Sequence, residues 1–352
     1  MEKLFFSENQ NNQILAVIIP AYRCARQITD VLRSIPPYIG HIIVVDDASP
    51  DNLADEITEL QDERIQYIRH QQNQGVGGAM MTGYKQALSL DAHIIIKMDG
   101  DGQMDARYLP ALIAPLLSGQ ADFAKGNRFL RLNDLGQMPK LRLIGNFGLT
   151  FLTKLASGYW QIFDPNNGFI AIHREALSLI NSKNIHPRYF FESSLLIELN
   201  KIRAVVVDVS MPARYGNEIS SLSITQSLFD FPVNLLKGLV RRIFRQYFLY
   251  DFTAVSLFLM LSFILMLFGG LWGSYHWYLS IKTNTAATTG TVMLAVLPVI
   301  LGFQLLVQAI VLDIQNRPKF PIQQQKWLNS QHTQLAETIG VDQATHSTHQ
   351  QK

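Results

Sequence analysis

From Leu15 to Val209 short apolar runs alternate with segments whose apolar residues recur every three or four positions. Runs rich in isoleucine and valine predict strands at Leu15 to Ile19, His41 to Val45, Ile65 to Ile68, His93 to Met98 and Phe123 to Lys125. The helical spacing falls between them, at Ile28 to Ile35, Leu53 to Leu60, Gly77 to Leu88 and Tyr108 to Leu117. Strands alternating with helices predict right-handed crossovers and a mostly parallel α/β sheet. Ligands of such sheets sit beyond the carboxyl ends of the strands, where Pro20, Asp46 and Asp99 fall. The pattern is less regular from Leu135 to Arg214. There an amphipathic helix (Arg142 to Ala156), a polar loop (Asp164 to Gly168) and a helix beginning near Glu192 are expected.

Two later stretches change character. Between Asp251 and Lys282, and again between Lys282 and Asp313, there is no Asp, Glu, Lys or Arg. Each exceeds the ~20 apolar residues that cross a bilayer. Spans are expected from Ala254 to about Trp272 and from Gly290 to about Leu312, with Trp272, Trp277 and Tyr278 near an interface. A buried hairpin of a soluble protein is the competing explanation, and length with absence of charge argues against it. Arg241, Arg242 and Arg245 precede the first span and Arg317 and Lys319 follow the second, so the positive-inside rule puts both ends and the first 250 residues in the cytoplasm. Those three arginines either attract anionic headgroups or serve only to set topology.

The resulting division is an N-terminal extension (1–13), an α/β domain (14–220), an amphipathic juxtamembrane segment suited to a membrane surface (221–252), a two-span hairpin (253–313) and a Gln/Thr/His-rich tail with the composition of disorder (314–352). A formal net charge of +2 excludes the global basic field of a nucleic-acid binder. One cysteine, Cys24, excludes an intrachain disulfide framework and fits a reducing compartment. No secretory signal pattern opens the sequence.

Chemistry concentrates where the fourth apolar run ends, at Asp99-Gly100-Asp101-Gly-Gln103. Residues two apart on an extended backbone point the same way, so the two carboxylates share a face. Hard oxygen ligands at a strand end suit Mg²⁺ or Mn²⁺, ions that ordinarily hold phosphates. An acidic turn is the plainer alternative.

Four segments in order, Val17-Ile-Ile-Pro20-Ala21-Tyr22, Ile43-Val-Val-Asp46-Asp47-Ala-Ser49-Pro-Asp51, Asn73-Gln-Gly75-Val-Gly77-Gly-Ala79 and Asp99-Gly-Asp101, resemble the inverting family-2 glycosyltransferases of GT-A fold. The resemblance continues through Gly126-Asn-Arg128, Asp164-Pro-Asn-Asn-Gly168-Phe169, Phe191-Glu192 and Arg214-Tyr-Gly216. With the hairpin it narrows to transferases acting on polyprenyl phosphates, similar to dolichyl-phosphate mannosyltransferases and bactoprenol glucosyltransferases. It implies a nucleotide-sugar donor bound by Pro20, Ala21, Tyr22, Asp46, Asp47, Gly75, Asp99, Gly100, Asp101 and Arg214. It implies Mg²⁺ or Mn²⁺ on Asp101 and Gln103, with Asp99 on either the metal or the sugar. Ser49 and Asp51 can instead cap the following helix. Arg128 and Arg142 are the expected holders of the acceptor phosphate, since guanidinium forks match phosphate geometry. Asp164 is expected as a base or as an orienting group for an arginine or the sugar, and Glu192 as a catalytic group or a structural ion pair.

The expected activity is inverting transfer of one sugar from a UDP- or GDP-linked hexose to a polyprenyl phosphate of the undecaprenyl type, at the cytoplasmic membrane face. Partners are the nucleotide sugar, the lipid, the membrane and a second copy through the spans. Elongation of a lipid-linked or polymeric glycan is the enzymatic alternative. Its expected Gln-x-x-Arg-Trp motif is absent, since Gln325-Lys326-Trp327 does not match. A membrane-anchored sugar-nucleotide-binding scaffold is the non-enzymatic one.

Overall fold

The computed structural model describes residues 13–128, 140–165, 167–212 and 224–325; of residues 140–147 and 224–229 only the backbone is described. Seven strands form one sheet in the order β3-β2-β1-β4-β6-β5-β7. They are β1 (Leu15–Ala21), β2 (His41–Asp46), β3 (Ile65–Arg69), β4 (Ile94–Lys97), β5 (Phe123–Asn127), β6 (Ile170–His173) and β7 (Val206–Ser210). All pairings are parallel except those of β6, which runs antiparallel to both β4 and β5.

Every position of β4 is buried, because helices cover both faces of the sheet. Alternation divides the side chains. Val17, Ile19, Ile42, Val44, Ile94 and Ile96 join one core with α1 (Ala25–Ser34), α2 (Leu53–Thr58) and α4 (Leu109–Leu117). Ala16, Ile18, Ile43, Val45 and Ile95 join a second with α3 (Val76–Ser89), α6 (Arg174–Leu179) and α7 (Phe191–Lys201). This mixed sheet with helices is the expected GT-A-like architecture. The sequence pattern supplied no expectation for β6 and β7, four and five residues long. The reversed β6 matters, because it brings the 164–168 loop to the edge where the parallel strands end.

α5 (Lys140–Ser157) and α8 (Ile224–Phe244) pack beside α7, through Ala156, Ile197 and Leu235. On α8 a second apolar row, Val233, Leu236, Val240 and Phe244, is exposed. A π-helical turn, Arg245–Tyr250, leads into α9 (Ala254–Thr283) and α10 (Thr289–Gln315). These helices, 30 and 27 residues long, are apolar enough to cross a membrane and are mostly unburied within the protein. α9 runs past Trp272 to Thr283 because nothing charged interrupts it before Lys282.

Two expectations change. Arg242 neither faces headgroups nor stands free as a topology signal. It is fully buried, donating to both oxygens of Asp313 (2.8 and 2.9 Å) and to the carbonyls of Leu155 and Ala156. Tyr247 donates to the same carboxylate at 2.6 Å, so the α/β domain, α8 with its π-helical turn, and α10 meet at one ion pair. Nor does disorder begin at 314. Residues 314–325 return to the α/β domain, where Asp122 accepts from the amides of Ile322 (3.0 Å) and Gln323 (3.3 Å).

Candidate active site

The carboxyl ends of β1, β2, β4 and β5 and the amino end of β6 form one edge. Tyr22, just past β1, is exposed, with the Arg23 guanidinium 5.2 Å from its ring centre. Pro20 and Ala21 end the strand beneath it. Asp46 is fully buried, its carboxylate accepting from the Ser49 amide (2.7 Å) and the Tyr67 hydroxyl (2.5 Å), with Arg69 at 3.4 Å. Burial and that carboxylate push the Tyr67 phenol up to about 12, so it stays a donor.

Asp47 turns inward and is no exposed ligand. It accepts from the amides of Gln74 (2.8 Å) and Gly75 (2.7 Å) and meets His70 Nδ1 at 2.8 Å, pinning the glycine-rich loop to β2. Gly75 has φ +84°, and a side chain there would lie 2.7 Å from the Pro187 carbonyl. The space it leaves is filled by residues 187–188, not left for a nucleotide. Gly100 likewise makes room for a protein atom, Cys24 Sγ, which a Cβ would approach to 2.8 Å. The Asp51 carboxylate accepts from the Ala25 amide at 2.9 Å, so it caps α1 across the edge and not the helix that follows it.

Asp99 and Asp101 emerge past β4, both partly exposed. Asp101 Oδ1 accepts from the Gln103 amide at 3.0 Å. Asp99 Oδ1 lies 2.6 Å from Lys97 Nζ. Lys97 is buried and also lies 3.5 Å from Glu192 at the start of α7 and 3.3 Å from the Gly168 carbonyl. Burial opposes its charge, but Asp99 and Glu192 outweigh it and raise its pKa. Lys97 therefore joins two predicted site residues from separate elements, and Glu192 adopts the ion pair. The sequence reading passed over this lysine although it stands two residues before Asp99, on the same strand face.

Among the described residues no three His, Cys, Asp or Glu side chains cluster as a ready metal site. Asp99, Asp101 and Gln103 nevertheless offer the oxygen donors that suit Mg²⁺ or Mn²⁺, which commonly takes one or two carboxylates and completes its shell with substrate phosphates and water. Lys97 already engages Asp99 Oδ1, whereas Asp101 accepts from the Gln103 amide beside it.

Across the edge, Arg128 follows β5 and donates through Nε (2.8 Å) and Nη2 (3.2 Å) to the two oxygens of Asp164. Asp164 is 2% exposed whereas the Arg128 side chain is 38% exposed, so a buried carboxylate holds a partly exposed guanidinium. This contact is the one the orienting alternative for Asp164 requires. Lys125, fully buried below, donates to the Asn167 carbonyl of the same loop, and burial pushes its pKa down to about 8. Arg142 belongs to the first turn of α5, but its side chain lies outside the described residues, as does all of Arg214.

A model described as glycosyl transferase family 2 matches residues 16–180. UDP-N-acetylglucosamine–dolichyl-phosphate N-acetylglucosaminyltransferase of Methanococcus voltae is 30% identical over 237 residues, 63% of this chain and 94% of that protein. Polyprenol monophosphomannose synthase of Mycolicibacterium smegmatis is 29% identical over 192 residues, 51% of this chain and 69% of that protein. Among solved structures, glucosyl-3-phosphoglycerate synthase from Mycobacterium tuberculosis, with Mn²⁺, uridine diphosphate and phosphoglyceric acid, superposes with a TM-score of 0.51 at 18% identity. That match covers 66% of this chain and 79% of the other and concerns the fold. The length and identity of the first match, with the family model over the sheet, establish that this chain is a glycosyltransferase of family 2.

Proposed function

We propose that the protein transfers one sugar from a nucleotide-diphosphate hexose to a polyprenyl phosphate, with inversion, at the cytoplasmic face of a membrane. The carrying observation is the pairing of a donor-type site (Asp99, Asp101, Gln103) with a partly exposed Arg128 on one sheet edge, in a chain with two helices fit to cross a bilayer. The names of relatives that act on dolichyl phosphate, and of others called polyprenol and undecaprenyl-phosphate mannose enzymes, support the lipid acceptor.

In this account Tyr22 and Pro20 wall the base, while Asp46, buried with both oxygens engaged, holds Tyr67 and the turn at Ser49 in place behind them. Asp99, steadied by Lys97, accepts a hydrogen bond from a donor-sugar hydroxyl, and Arg214 steadies the diphosphate. A divalent ion held by Asp101 and Gln103 would neutralise charge on the departing nucleoside diphosphate. Arg128, fixed by Asp164, holds the acceptor phosphate, with Arg142 as its second cation. A phosphate monoester is already anionic at neutral pH, so placement and electrostatics carry the rate and no strong base is needed. Attack opposite the leaving group converts an α-linked donor to a β-linked product. The exposed row on α8 lies against the headgroups and holds the edge near the lipid phosphate.

Membranes containing the protein, given undecaprenyl phosphate and a panel of radiolabelled nucleotide sugars, test this. Label should enter the lipid fraction from one donor and stop with EDTA. Transfer from none of the donors, or transfer indifferent to EDTA, contradicts the account.

A further inference from the structure

Where α7, the π-helical turn and the adjoining ends of α9 and α10 meet, the surface forms an open pocket of about 350 Å³. Its walls include Lys201 and Arg203 after α7, Arg245 and Tyr250 of the turn, and Asp251 and Thr253 just before α9. Asn316, the first residue past α10, lines it too. It therefore lies at the level where both apolar helices end on the same side of the hairpin, the depth of lipid phosphates if those helices span.

The cations are unequally committed. Lys201 is ion-paired to Glu198, which neutralises it. Arg203 donates through Nη2 to the carbonyl (2.7 Å) and side-chain oxygen (3.1 Å) of Asn316, and its Nη1, buried from solvent, has no hydrogen-bond partner among the described residues. Arg245 donates to the Tyr250 hydroxyl, a neutral oxygen that leaves its charge uncompensated (3.0 Å from Nε). Asp251 is the one opposing carboxylate on the wall outside the Lys201 pair, leaving two arginines against one acid. Glu192 begins α7 and Lys201 ends it, nine residues or ~14 Å apart at 1.5 Å per residue. The pocket is thus separate from the sheet edge that holds Arg128.

We infer that this pocket is a second phosphate site, which takes the phosphodiester headgroup of an anionic membrane lipid between Arg203 and Arg245. The bound lipid seats the catalytic domain on the bilayer. The inference rests on the membrane-spanning reading of α9 and α10 but not on the identity of donor or acceptor.

The full chain in neutral detergent, titrated with phosphatidylglycerol and with phosphatidylcholine and read by native mass spectrometry, tests it without any glycosyl transfer. The wild type should retain phosphatidylglycerol in preference to phosphatidylcholine. Arg245→Gln should bind it about fivefold more weakly, the change that ~1 kcal/mol per basic residue at an anionic surface produces. Arg203→Gln should do the same, and if loss of its Asn316 contact unfolds that variant, Arg245→Gln alone decides. Equal retention by wild type and Arg245→Gln would overturn the site. Displacement by stoichiometric inorganic phosphate would overturn the lipid source, since the pocket would then hold a free anion. Transfer activity in neutral detergent should be unchanged in Arg245→Gln, which keeps failure of this site distinct from failure of the proposed reaction.

Discussion

Lys97→Met replaces a buried ammonium with an apolar side chain of similar length. In the native protein that ammonium lies 2.6 Å from Asp99 and 3.5 Å from Glu192. At an effective dielectric of ~20 these separations correspond to gross attractions of ~6 and ~5 kcal/mol, most of which offsets the cost of burying the charge. Removing one member of a buried pair costs ~3–5 kcal/mol. Because Asp99 is about one-third exposed, water recovers part of its share, so we expect a loss of ~2–3 kcal/mol in unfolding free energy. The transfer rate should fall further, by ~10²–10³, because Asp99 loses the orientation that directs it at the sugar. A double-mutant cycle with Asp99→Asn separates the two effects. Unfolding in detergent and kcat for transfer are measured for the four proteins. A coupling of at least ~1 kcal/mol in kcat is expected. Additive effects, with Lys97→Met slowing transfer by the same factor in the Asp99→Asn background as in the wild type, would refute the positioning role and leave the lysine a structural strut.

Asp164→Asn keeps the shape but loosens the fork on Arg128; the KM for the lipid acceptor should rise ~10-fold or more while donor binding, measured by titration calorimetry, stays constant. A base role would instead collapse kcat at saturating acceptor. Lys125 has a folded pKa of about 8 against 10.5 for the free side chain. Between those values the unfolded chain keeps a proton that the folded chain has shed. Stability relative to Lys125→Met should therefore climb with pH from about 8 towards 10, by up to ~1.4 kcal/mol per unit in thermal unfolding scans. Asp313→Asn should destabilise the chain by ~3 kcal/mol by stranding Arg242, whereas the paired change Arg242→Met with Asp313→Leu should recover most of that loss.

The alternating apolar pattern was enough for the parallel half of the sheet, because buried β-branched runs there differ sharply from the intervening helices. β6 and β7 were not legible. Ile170-Ala-Ile-His173 is too short to show a period, and its antiparallel placement depends on contacts made by β4 and β5. At the site, residue types marked the edge but not the direction of each side chain. Asp46-Asp47 reads as a pair of equivalent carboxylates, yet the turn sends one to Ser49 and Tyr67 and the other to the Gln74 and Gly75 amides. The glycines of that loop signalled close approach correctly, but the approaching partner is the 187–188 backbone. Arg242 shows the same limit. Its position before a span suggests a topology signal, and only the fold reveals Asp313, seventy-one residues on, as its partner.

The central claim is a single sugar placed on a lipid phosphate through the carboxylates past β4. Its most direct test is mass analysis of the product formed by the purified full chain from undecaprenyl phosphate and its accepted nucleotide sugar, alongside Asp101→Ala. The account predicts one hexose per polyprenyl monophosphate, β-linked, with the variant folded but at least ~10³-fold slower. A lipid carrying several sugars, an α linkage, or undiminished turnover by Asp101→Ala would contradict it.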